Sequence, residues 1–224
     1  MLQASEPYSR DEILSHTQRR IIEAAGEIFA DSGYRHTTVR AICRQAGVNV
    51  AAVNYHFGGK KHLYLAVLRY SRSKAMEEHP FDLEDFATGT PASRLHAFIR
   101  TLLARVLDKG VGSRFARLMA KELMQPTSAF DQIIKEVINP SFAFLSVTIE
   151  QLFGKPLPTE KAGLYCISIV GQIFYFYLST PVIRTLLRKE SFDADEIAAI
   201  ADHITRFSLY AIERMAAEDE GEGR

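Results

Sequence analysis

The chain has 224 residues, room for one large or two small domains, with 47% hydrophobic content, ample for a buried core, and 27 basic against 27 acidic residues that cancel to a net charge of zero. Its two cysteines, Cys43 and Cys166, lie far apart on apolar helix faces, which excludes a disulfide framework and suits small buried hydrophobes in a reducing cytoplasm. Residues 1–16 hold no apolar signal region, and the most apolar stretch, 163–178, contains Gln172 and falls short of the roughly 20 residues that span a bilayer, so neither secretion nor a membrane partner is expected.

Residues 1–15 read as a flexible arm. A first helix is predicted over 17–31, where Ile21, Ile22, Ala25, Ile28 and Phe29 recur at helical spacing. A second runs from Thr38 to Ala46 and a third from Val50 to His56, separated by Gly47-Val48-Asn49. Gly47 suits the position just past a helix end, where positive φ is common. Val48 is an apolar peg between the helices, and Asn49 is a good N-cap for the third. Two helices joined by so short a Gly-containing turn form a helix-turn-helix pattern, whose second helix enters the DNA major groove.

Gly58-Gly59 breaks the chain before a fourth helix over 60–78, which His79-Pro80 ends. Charge agrees with the DNA reading. No acidic residue occurs between Ser32 and Met76, whereas Arg35, Arg40, Arg44, Lys60, Lys61, Arg69, Arg72 and Lys74 do. The chain is therefore polarised, and a local basic face is what phosphate binding needs.

After a loop at 81–90, a fifth helix follows Pro91, with Leu95, Phe98, Ile99, Leu102, Leu103 and Val106 on its apolar face and Gly110 and Gly112 at its end. Phe115, Leu118, Met119 and Leu123 mark a sixth, stopped by Pro126. A helix over 128–138 follows, and Asn139-Pro140 restarts another that runs to Phe153. Beyond the loop 154–158 come a long helix over 159–178, a short one after Pro181 and a last one from Asp193 to about Ala217. The acidic tail, 218–224, is expected to be disordered. The fold class is all-α, with no repeats and no convincing strands. The expected domains are a helix-turn-helix domain over 16–62 and a helical ligand-binding and dimerisation domain over 63–217.

The segment Thr17–Leu68 resembles the DNA-binding domain of the TetR family of bacterial transcriptional repressors. The matching pieces are Arg20 to Ala25, Ile28-Phe29-Ala30, Gly33-Tyr34, Thr37-Thr38-Val39, Ile42, Ala46-Gly47-Val48, Tyr55-His56-Phe57, Lys60 and Leu63. Glu122-Leu123, Pro126-Thr127, Asp131 and Pro140 resemble a CerR-like C-terminal domain found with the Asn-Tyr-His-Phe form of this motif. Helical spacing offers Val50, Ala51, Asn54 and Tyr55 to base edges. Many family members carry Thr at Ala52 and Tyr at Asn54. Asn54 offers bidentate pairing to adenine instead, worth about 1–3 kcal/mol of discrimination. The family pattern implies phosphate contacts by Thr37 or Thr38, His56 and Lys60, with Lys61 adding charge where relatives commonly carry an acid. Arg40 can reach the backbone, and Arg44 faces either phosphate or solvent. Tyr34, Val53 and Phe57 read as core.

No enzyme signature is present. The seven histidines include no i, i+4 metal pair, and neither a phosphate loop nor a dinucleotide fingerprint occurs, so no metal or cofactor is expected. In the C-terminal domain, Phe98, Leu102, Arg105, Phe115, Met119, Thr148, Tyr165, Gln172 and Tyr175 are candidate ligand-binding residues for a partly apolar small-molecule effector. The helix over 163–178 is apolar all round, and Ile197, Ile200, Ile204, Phe207 and Ala211 form a seam, so Ile167, Phe174, Ile197, Ile204 and Phe207 are candidates for a homodimer interface. The expected function is a cytoplasmic homodimeric repressor released from a near-palindromic double-stranded DNA operator by a small molecule. The rivals are an activator, a low-specificity DNA-coating protein, and a helical binder or enzyme whose N-terminal bundle contacts protein.

Overall fold

The structure is a computed structural model that describes residues 14–81, 88–107, 110, 113–190 and 192–221, and among these there is no β-strand. The arm expected at 1–15 lies outside the described residues except for Leu14 and Ser15. Two compact units meet in sequence between Ser71 and Arg72.

The N-terminal unit holds α1 (His16–His36), α2 (Val39–Ala46), α3 (Val50–Phe57) and the first part of α4 (Lys60–Glu78). Ser15 starts α1 with a capping box: its hydroxyl accepts the Gln18 N–H at 3.2 Å, and the Gln18 side chain accepts the Ser15 N–H at 2.9 Å. α1 runs five residues past its expected end, across a break at Gly33 where φ is 75°. Its apolar stripe, Ile21, Ile22, Ala25 and Phe29, is buried with Ile42 and Cys43 of α2, Val53 of α3 and Leu63, Tyr64, Val67 and Leu68 of α4. Phe29 meets Tyr64 edge-on, with ring centroids 4.9 Å apart. Truncating so buried an aromatic costs about 3–5 kcal/mol. Because α4 supplies these core residues, the compact unit extends past the boundary expected at 62.

The C-terminal unit holds the rest of α4, then α5 (Pro91–Leu107), α6 (Ser113–Met124), α7 (Phe130–Ile133), a π-helical turn (Ile134–Ile138), α8 (Asn139–Phe153), α9 (Thr159–Leu178), α10 (Thr180–Leu187) and α11 (Ala194–Gly221). α5 lies at the centre, against α8, α9 and α11. Leu95, Ile99 and Leu103 of α5 are fully buried in one core with Leu145 and Ile149 of α8, Cys166 and Ile173 of α9, and Ala201 of α11. After α6 the buried Glu122 carboxylate accepts from both the Thr127 N–H, at 2.8 Å, and the Thr127 hydroxyl, at 2.6 Å. This closes the turn that Pro126 opens.

Three expectations change here. The helix expected to stop at 138 and restart at Asn139-Pro140 instead continues through the π-turn. Pro140 has no N–H to give the Glu136 carbonyl four residues back, and a widened turn accommodates its ring. That carbonyl accepts from Arg72 Nη1 at 3.0 Å instead. The tail is helical as far as Gly221 rather than disordered from 218, because Asp219 bridges Lys155 at 2.6 Å and Lys161 at 2.5 Å; residues 222–224 lie outside the described ones. Finally, α9 has 20 residues, and among the described residues it is the one helix long and apolar enough to cross a membrane, with 22% of its most apolar window buried. Ala162, Cys166, Ile169 and Ile173 fix one of its faces in the core.

Candidate nucleic-acid interface

The helix-turn-helix is built by local caps. Thr38 is the N-cap of α2, its hydroxyl accepting the Ala41 N–H at 3.2 Å. Gly47 ends α2 in the left-handed region, with φ 63°, and its N–H returns to the Arg44 carbonyl. Any side chain is strained there. Asn49 caps α3, its side-chain oxygen accepting the Ala51 N–H at 3.0 Å. Gly58 closes α3 with its N–H on the Asn54 carbonyl at 2.9 Å.

Only Val53 of α3 is buried. Val50, Ala51, Asn54 and Tyr55 are all exposed, and Tyr55 shows 85% of its surface. An aromatic left that open on a short helix turns most of its ring to the outside. Arg40 and Arg44 of α2 and Lys61 of α4 are exposed as well, while His56 is half-buried beside the Tyr55 ring at 4.9 Å between centroids. Lys60 opens α4 with its ammonium 4.4 Å above the centre of the Tyr34 ring. Partial burial pulls its acidity constant below the ordinary lysine range.

Thr37 departs from its expected role. It is 2% exposed, and its hydroxyl donates to the Gly33 carbonyl at 2.7 Å. That side chain secures the end of α1, so Thr38 is the open member of the pair. Sequence reasoning also passed over Arg20. Its guanidinium Nη2 donates to the Ala46 carbonyl at 2.5 Å and lies 3.3 Å from the Gly47 carbonyl. The sequence signal, a basic residue nine positions before Phe29, carries no hint of this reach across 26 residues.

The ligand candidates of the C-terminal unit divide. Phe98 is buried between Phe81 and Phe144, with centroids at 6.3 and 5.9 Å. Arg105 donates Nε and Nη2 to the His79 carbonyl, at 3.0 and 2.8 Å, and stacks over Phe81. Burial, and secondarily the charge of Arg72, lowers its pKa to about 10, so it remains a cation at neutral pH. Met119 and Thr148 are buried, with the Thr148 hydroxyl on the Phe144 carbonyl at 3.0 Å, while Leu102 and Phe115 are half-buried. Tyr165 is elsewhere, its hydroxyl 3.1 Å from the Met215 sulfur, and Gln172 turns back to the Ser168 carbonyl of its own helix. Tyr175 lies exposed rather than enclosed.

The dimer candidates divide too. Ile167 and Phe207 are 59% and 60% exposed, and Phe174 and Ile197 are half-buried. Ile204 is 1% exposed and belongs to the core of its own chain, which corrects its expected place. The seam spacing of α11 is real, but one of its rows faces inward.

Comparison with known proteins agrees with this anatomy. The family described as bacterial regulatory proteins, tetR family, matches residues 21–67, and the C-terminal domain of the HTH-type transcriptional dual regulator CecR matches residues 91–212. The chain is 27% identical over 199 residues to the HTH-type transcriptional dual regulator CecR of Shigella flexneri, covering 84% of this chain and 87% of that one. It is 41% identical over 68 residues to the HTH-type transcriptional regulator SrpR of Pseudomonas putida, covering 30% and 29%. Similar folds include the transcriptional regulator FadR of Bacillus subtilis, solved in complex with stearoyl-CoA, at a TM-score of 0.62 and 18% identity over 85% of this chain and 97% of that one. A transcriptional regulator from Rhodococcus sp. Rha1 gives a TM-score of 0.63 at 21% identity, covering 88% and 97%. The chain belongs to the TetR family, as a DNA-binding transcriptional regulator with a CecR-type C-terminal domain.

Proposed function

We propose that this chain is a homodimeric, ligand-responsive repressor that acts in the cytoplasm on a near-palindromic operator and leaves it when a small molecule occupies the C-terminal unit. The observation that carries the DNA half is the fully presented outer face of α3, Val50, Ala51, Asn54 and Tyr55, within a sequence window free of acids. In this reading those four side chains meet base edges, and Thr38, Arg40, His56, Lys60 and Lys61 meet phosphates. Support for the effector half comes from the relatives: FadR of Bacillus subtilis is solved with stearoyl-CoA. It also comes from α4, one unbroken helix from Lys60 to the ligand-side anchors at Arg72 and His79. The name of the Shigella relative, a dual regulator, favours a second polarity in which the same protein also activates.

The test is selection of bound fragments from the source genome by the purified protein, followed by titration at several salt concentrations. A near-palindromic motif should emerge, with affinity falling steeply as salt rises, by about 0.9 log units per log unit of salt for each phosphate neutralised. Binding that is flat in salt would instead support a protein-contacting bundle.

A further inference from the structure

The turn between α2 and α3 is held from outside by the Arg20 side chain. Arg20 projects from α1, whose next residues, Ile21 and Ile22, are fixed in the core at 0% and 2% exposure. Its Nη2 meets the Ala46 carbonyl at 2.5 Å and the Gly47 carbonyl at 3.3 Å. The backbone bonds of the turn end elsewhere, on the carbonyls of Cys43, Arg44 and Asn49. Ala46 is the last residue of α2, so its carbonyl lies at the helix end where acceptors lack intrahelical donors and the dipole is negative. A guanidinium there forms charge-assisted bonds, stronger than neutral ones.

Space is matched as closely as charge. A Cβ at position 47 would sit 2.7 Å from Arg20 Nη2, closer than such atoms approach. Gly47 is required for its positive φ, and a Cβ there would also displace the Arg20 guanidinium from its place against the turn. Arg20 ties the entry to α3 directly to α1, and every candidate base contact lies within nine residues of that tie.

We propose that Arg20 is a positioning residue for operator recognition: it fixes the direction in which α3 leaves the turn, and so the register of Val50, Ala51, Asn54 and Tyr55 on the bases, without itself meeting DNA. This rests on the function proposed above. Fitted recognition depends on that register, whereas loose binding through phosphates does not.

The experiment compares wild type, Arg20→Ala, Arg20→Lys, Gly47→Ala and the Arg20→Ala/Gly47→Ala double variant on the selected operator and on a random duplex, across salt, with thermal stability measured alongside. Arg20→Ala should lower operator affinity about tenfold, the scale of one hydrogen bond to a charged group, and change random-duplex affinity less than about twofold. Its salt slope should equal that of wild type. Arg20→Lys should recover part of the loss, and Gly47→Ala should cost less once Arg20 is gone. A salt slope lower by about one unit would make Arg20 a phosphate ligand and overturn the proposal. So would equal losses on both duplexes accompanied by a fall in melting temperature, or full operator affinity in Arg20→Ala. A wild-type protein that selects no operator overturns the proposed function and this role together.

Discussion

At the scale of single residues, the proposed DNA-facing surface combines side chains held in place with side chains left open to solvent. Lys60 is held, its ammonium over the Tyr34 ring, while Asn54 projects from α3 with no side-chain partner in the turn it follows. The two should therefore fail differently. Lys60→Ala should weaken binding to every duplex and lower the salt slope by about one unit. Tyr34→Leu, which removes the ring but keeps an apolar body, should move affinity in the same direction, and Tyr34→Phe should restore it. Asn54→Ala should leave the salt slope unchanged and relax discrimination at one base pair per half-site by about 1–3 kcal/mol. A competition assay over singly substituted operators reads that loss directly. An unchanged base preference at every position would remove Asn54 from the base-reading set.

At the scale of elements, the proposed effector would act on DNA affinity through α4. Its 19 residues contain neither Gly nor Pro, and at 1.5 Å per residue they make a rod about 28 Å long. Arg72 in its later half is tied to the π-turn carbonyl of Glu136, and the carbonyl of His79, just past its end, is held by Arg105 of α5. An effector that repacks α5 or the π-turn would act on α4 through these guanidinium-to-carbonyl bonds, and it could do so only by its differential affinity for two states. Effector binding should lower operator affinity by about 1–3 kcal/mol. A Gly-Gly insertion after Lys74, or Arg105→Ala, should reduce that coupling while effector affinity changes little. Equal effector-induced release in wild type and both variants would exclude α4 as the carrier. The end of α11 supplies a pH prediction. Hydrogen bonds from Lys155 and then Lys161 hold the Asp219 carboxyl down at about 2, against an ordinary 3.8. Its contribution is complete above pH 3.8 and is lost as the pH falls through about 2. Asp219→Asn should fray the last turn of α11 at neutral pH, seen as faster amide exchange there, and should make no difference below pH 2.

At the scale of the whole molecule, large apolar side chains stand exposed on two helices of the C-terminal unit. Leu164, Ile167, Tyr175 and Leu178 stand exposed on α9, and Phe207 and Tyr210 on α11. Folded chains rarely leave so many large apolar side chains open without a partner, and a second copy is the occupant that the operator proposed above asks for. Ile167→Glu and Phe207→Glu should each convert the dimer to monomers with unchanged helical content, and operator affinity should fall with dimerisation. Ile204→Glu should instead unfold the C-terminal unit, since it places a charge in the core of its own chain. Light scattering and circular dichroism separate the two results. A wild-type protein that stays monomeric at micromolar concentration would sink the dimer.

The sequence by itself determined what depends on neighbours a few residues apart. Gly47 and Asn49 specify a helix end and a helix start through bonds spanning two to four residues, and both sit as expected. The same locality made α3, α4, α9 and the all-α class legible, and the segment from Thr17 to Leu68 carried the family resemblance. The tertiary structure decided what depends on residues far apart. Thr37 and Thr38 are adjacent and chemically alike, yet burial under α1 closes one and leaves the other open. Ile204 and Phe207 share one helical seam, and only the packing of α5 against α11 shows that the first faces inward. The boundary beyond Leu68, the helical run to Gly221 and the tie from Arg20 to Ala46 likewise rest on partners 26 to 64 residues away. Capping and periodicity are written in local order because they are local bonds, whereas which face of a helix is covered is fixed only when the chain closes on itself.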